Sequence, residues 1–143
     1  MSFAPHQDPV VIDLGRVELT AMRDMTTSLI TASLLSDDGF EIVRLSDSAS
    51  APTDGARFAS MASSIQALSE AVARELTMGA SEYVIIAAER GHVVQMRIPG
   101  QTIVLAALFD TDEMLGKALT VSRRCASRIA EALAVPAPVP VGS

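Results

Sequence analysis

The tightest constraint on the fold lies between Tyr83 and Phe109. Three apolar runs, residues 83–89, 92–98 and 102–109, are separated only by Arg90-Gly91 and Pro99-Gly100-Gln101. Connections this short leave no room for a crossover, so the three runs must be antiparallel neighbours in one sheet. The first of them, Tyr83-Val-Ile-Ile-Ala-Ala88, does not alternate apolar with polar residues. That pattern predicts a strand covered on both faces.

The rest of the chain supplies the other layers. Leu14, Val17, Ala21 and Met25 recur at helical spacing and predict a short first helix, weakened by Gly15 near its start. Residues 29–36 and 40–45 are apolar runs flanking Asp37-Asp38-Gly39. Asp-Gly between two such runs signals a hairpin, because both turn residues must tolerate positive φ. Residues 47–55 are polar, contain Pro52 and read as a loop, with Thr53 or Asp54 available to cap the next helix. From residue 56 to 78 the period becomes helical, and Phe58, Met61, Ile65, Leu68, Val72 and Leu76 form one stripe, predicted to face the core. Gly79 is placed to end that helix. Asp110 with Glu113 resembles a capping box for a last helix buried through Leu115, Leu119, Ser122, Ala126, Ile129 and Leu133.

The order helix, hairpin, helix, three-stranded meander, helix predicts an α+β domain: a five-stranded antiparallel sheet with helices on both faces. The expected boundaries are an N-terminal tail at 1–12, the domain at 13–134 and a Pro-rich C-terminal tail at 135–143. Val10–Ile12 is compatible with a short added edge strand, on three residues alone.

Composition narrows the function. The chain has 143 residues, room for one domain. A formal net charge of -6 disfavours a protein that tracks phosphates, so no nucleic-acid partner is expected. One cysteine, Cys125, allows neither an internal disulfide nor a cysteine-rich zinc site. No apolar run is long enough to span a bilayer, and the first nine residues lack a secretory pattern; the default expectation is cytoplasmic, without membrane insertion. Asp37 and Asp38 are better explained by the turn than by a metal, which would want more oxygen ligands. His6 and His92 form no triad with a serine. Gly116-Lys117 lacks the upstream glycine and following hydroxyl of a nucleotide loop. No catalytic residue, metal or cofactor is expected.

At this point the chain resembles the roadblock family, also called dynein light chain 7, over about residues 14–133. The pieces that carry the resemblance are Leu35-Ser-Asp-Asp-Gly-Phe-Glu-Ile-Val43 and Met114-Leu-Gly-Lys-Ala-Leu119, followed by Arg123-Arg124 and Arg128-Ile129. One departure is Thr26-Thr27-Ser28, where the family often has Pro-Gly-Val. The resemblance implies a non-catalytic protein that forms dimers by pairing the second helices and joining two sheets edge to edge. It implies a homodimer that binds a Ras-like small GTPase as regulator or scaffold. A structural adaptor subunit without GTPase contact is the alternative.

With the apolar stripe of residues 56–78 turned to the core, the opposite face shows Ala56, Ala59, Ser63, Gln66, Ala67, Glu70 and Arg74. Small, nearly uncharged residues suit either close helix pairing or an Ala-rich, high-propensity surface, and the residues alone do not choose. With the resemblance, this face is the expected dimer and partner surface. Glu70 and Arg74 would then contact the partner or pair across the dimer. Lys117, Arg124 and Arg128 form a secondary basic surface, which is also what the C-terminal part of a helix favours.

Overall fold

The computed structural model describes residues 4–46 and 55–134. A single 3-10 turn at Pro5–Gln7 leads into α1 (Pro9–Arg23). Then come β1 (Leu29–Ser36), β2 (Glu41–Ser46), α2 (Gly55–Glu75), β3 (Val84–Ala88), β4 (Gly91–Arg97), β5 (Ile103–Phe109) and α3 (Leu115–Ala134). The five strands form one sheet in the order β2-β1-β5-β4-β3, and every pairing is antiparallel. The expected α+β order and antiparallel sheet are thus observed.

The sheet's two faces are unequal. Alternate strand residues (Ala32 and Leu34 of β1, Val94 and Met96 of β4, Leu105 and Ala107 of β5) pack with Leu19 and Met22 of α1 and Val121 and Ile129 of α3. This is the main core. On the other face Leu35, Val104 and Ala106 form a smaller cluster with Ala59 and Ala62 of α2, with Phe58 at the margin. The two-residue period of the strands sends each set to its own side.

Local chemistry sets the ends of the elements. Asp8 caps α1 by accepting the Val10 N–H at 3.0 Å, and Pro9 occupies the first turn. Val10–Ile12 is therefore helical and not an edge strand: the Asp-Pro start signal outweighs three apolar residues. Gly15 lies where α1 presses on the sheet. A Cβ there would sit 2.6 Å from Leu34 Cδ1 and 2.9 Å from Val43 Cγ1. The Asp37–Gly39 turn closes the first hairpin with Gly39 at φ 91°. Ser36 accepts the Phe40 N–H at 3.1 Å and donates to Asp38 at 2.5 Å, which holds the Asp38 carboxyl below its ordinary range.

Three expectations are corrected. Asp110 does not cap α3. Its carboxylate accepts the Asp112 N–H at 2.8 Å in a local turn, and α3 starts later, at Leu115. Glu113 is instead buried and accepts a hydrogen bond from Thr26. Thr26 also accepts the Ser28 N–H at 3.1 Å, so the departure at Thr26-Thr27-Ser28 is a stapled junction between α1–β1 and β5–α3. The strand 84–88 is not covered on both faces. It is the sheet edge, with Ile86 exposed. Nor does Gly79 close α2: Thr77, at φ 52°, does so, with Met78 N–H donating to Ala73 O at 2.8 Å and Thr77 N–H to Arg74 O at 3.1 Å. Thr53 and Asp54, the expected caps of α2, lie outside the described residues.

Candidate interaction surface

The helix α2 sits on the sheet turned away from its own hydrophobic pattern. Met61 and Leu68 are 54% and 66% exposed, and Val72 and Leu76 are exposed with them, while Ala59 and Ala62 are fully buried. The stripe expected in the core therefore faces outward, and part of the face expected outside faces in. Ala59 and Gln66 are buried, and Ser63 and Glu70 are half-buried. Ala56, Ala67 and Arg74 are exposed.

Polar chemistry explains the turn. Gln95 of β4, 1% exposed, donates to Ala62 O at 2.8 Å and to Gln66 Oε1 at 3.2 Å. Arg97, two residues along the same strand face, donates through Nε to Glu70 Oε1 at 2.7 Å and through Nη2 to Glu70 Oε2 at 3.0 Å. Its Nη1 reaches Asp37 Oδ1 at 2.7 Å. Ser63 donates to Asp37 O at 2.5 Å. A bidentate guanidinium–carboxylate pair is among the stronger side-chain contacts, and Gln95 and Arg97 would lose these partners if α2 turned. The Arg97 guanidinium holds Glu70 below its ordinary carboxylate range, with Gln66 adding to the effect. Glu70 is thus half-buried and paired within its own chain.

The consequence is an apolar surface. Leu68 and Val72 lie on the flank of α2 nearest β3, and Met61 falls on the same side of the helix by its spacing. A groove of about 590 Å³ runs there between Ile65, Leu68 and Val72 on α2 and Met78, Tyr83 and Val84 beyond it. Each such side chain left half in water forgoes about 1 kcal/mol of burial. The strand alongside, Val84-Ile-Ile-Ala-Ala88, carries no charge and has no outer strand partner among the described residues. An uncharged apolar edge beside an exposed apolar helix is a combination that soluble single chains avoid.

The secondary basic surface is mostly paired within the chain. Arg128 donates to Glu18 at 2.9 Å, and Lys117 lies 3.9 Å from Glu113. Arg123 reaches Glu82 at 3.1 Å and lies over the Tyr83 ring at 5.1 Å. Arg124 is exposed. Among the described residues no group of three or more His, Cys, Asp or Glu side chains is arranged to hold a metal, and no helix is long and apolar enough to cross a membrane.

Sequence reasoning missed Arg97 and Gln95. The available signal was a polar pair at i, i+2 inside an apolar strand, matched by Gln66 and Glu70 at i, i+4 on the helix above it.

Comparison with known proteins gives the same architecture. The Roadblock/LC7 domain model matches residues 18–109. A structure described as MglB with tetrameric arrangement is 21% identical, with 92% of this chain and 91% of that chain covered and a TM-score of 0.75. The gliding protein MglB from Thermus thermophilus is 20% identical over 92% of each chain, at a TM-score of 0.72. Myxococcus xanthus MglB is 12% identical over 85% of this chain and 89% of that one, at 0.76. A search of curated proteins finds no match.

Proposed function

The chain belongs to the Roadblock/LC7 domain family, and from that premise we propose that it is a non-catalytic homodimer that binds a Ras-like small GTPase and modulates its GTP cycle. The observation that supports the dimer most is the apolar flank of α2 lying beside the bare edge of β3. A second copy, related by a twofold axis, buries both at once. Helix meets helix through Met61, Leu68 and Val72, and β3 meets β3.

The paired helices then present a composite surface made from two copies of α2. Ala56, Ala67 and Arg74 are the exposed members of the face read from the sequence. A single GTPase seated there meets both copies, giving one GTPase per two chains. The chain contributes surface and no chemistry. Arg90 lies in the turn between β3 and β4, and Arg57 in the first turn of α2. Neither is assigned the role of an arginine finger.

The test is capture of Ras-like GTPases loaded with GTP or GDP on the purified protein, with stoichiometry from mass in solution. Nucleotide-dependent capture at one GTPase per two chains is the expected result. Failure to bind either form leaves the adaptor reading, in which the same dimer joins a larger assembly.

A further inference from the structure

The inner side of α2 carries less apolar bulk than the flank it exposes. Ala59, Ala62 and Gln66 are the buried residues of the helix, while Met61, Ile65, Leu68 and Val72 run along its flank. On a helical wheel the two sets are centred roughly 120° apart. Hydrophobic burial alone would roll the helix until the larger side chains met Leu35, Val104 and Ala106 on the sheet. Something must hold it back, and the contacts that do so are polar.

We propose that Arg97 is the positioning residue of the assembly surface: bridging Asp37 and Glu70, it holds α2 in the orientation that presents the apolar flank, and without it the helix rolls that flank toward the sheet. The inference rests on the dimer reading above for its functional meaning, but its geometry stands alone. Arg97 is the one side chain joining β4, the β1–β2 turn and α2 in this cluster, through 2.7 Å contacts to both Asp37 and Glu70. Gln66 and Arg74 face Glu70 from α2 itself, and the Gln101 carbonyl accepts from Arg97 at 3.3 Å from the β4–β5 turn. Beside the cluster a cavity of about 210 Å³, bordered by Asp37, Ser63, Gln66 and Val104, gives the side chains room to rearrange. An element with two packings separated by a few polar contacts is a two-position device, and the partner selects one of them.

A thiol at Ser63 reads the position of α2. In the held state Ser63 lies against the Asp37 carbonyl; rolling the helix carries it into water. Cys125 serves as the unfolding control, because it is buried and burial pushes its thiol up to about 12. In Ser63→Cys protein, the half-buried thiol sets the baseline rate of maleimide labelling. Adding Arg97→Ala raises the rate about tenfold or more, leaves Cys125 unlabelled and lowers the mass in solution toward one chain. Arg97→Lys, which keeps the charge without the fork, labels at an intermediate rate. Equal labelling with and without Arg97, in protein whose Cys125 stays unlabelled, overturns the proposal. If Arg97→Ala exposes Cys125, Glu70→Gln decides by the same comparison. A native protein that runs as a single chain overturns the dimer reading, while the labelling rates still judge the clamp.

Discussion

Thr77 closes α2 with φ at 52°, where a β-branched side chain crowds its own backbone. Glycine removes that crowding, so Thr77→Gly should stabilise the protein by about 1 kcal/mol, raising Tm by roughly 3 °C, as calorimetry would read. A lowered Tm would mean that the Thr77 side chain makes a contact worth more than the strain. Gly15 is the opposite case. Gly15→Ala drives a Cβ onto the fully buried Leu34 and should cost about 1–3 kcal/mol in a urea titration, whereas an unchanged midpoint would show that the core yields there. Glu70 adds a pH dependence. Arg97 depresses its folded pKa below the ordinary 4.5. The pair's stabilisation is therefore complete above about pH 4.5 and is lost as pH falls through the lowered value. Wild-type stability should fall more steeply below pH 4.5 than that of Glu70→Gln; parallel curves would remove the pair from the account.

At the scale of elements, α2 separates what the sequence tells from what it does not. The strands, the Asp-Gly hairpin and the existence of all three helices are legible, because each depends on periodicity or on turn chemistry close in sequence. The seating of α2 is not. Its stripe of Met61, Ile65, Leu68 and Val72 reads as a core face in an isolated chain, and polar contacts from Gln95 and Arg97, about thirty residues away, hold it outward. The same blindness affects β3, whose unbroken apolar run reads as fully covered although Ile86, Ala87 and Ala88 are exposed. In both cases the pattern is that of a buried element, and the proposed second copy would bury it. The capping signals at Asp110 and Gly79 mislead for a simpler reason: a local turn or a Schellman closure one or two residues away takes the role first. Leu68→Asp tests the seating. It places a charge on a surface already open to water in the single chain, so circular dichroism should be unchanged while the dimer dissociation constant rises about 100-fold or more. The control Ser127→Asp, exposed on α3, should leave the dimer intact. Equal effects of the two would move the interface elsewhere.

The whole molecule is a sheet with one finished side and one unfinished. α1 and α3 close one face over the main core, and Arg128–Glu18 and Arg123–Glu82 tie their surroundings together. The other face carries a single helix, held by a polar clamp and flanked by a bare strand. Joining two copies across that flank would extend the sheet to ten strands and cover both helices' apolar sides with one contact. The mass of the purified 143-residue chain, measured by light scattering at micromolar concentration, tests this most directly. A twofold dimer gives a value near twice 15.0 kDa. A value near 15.0 kDa would contradict it.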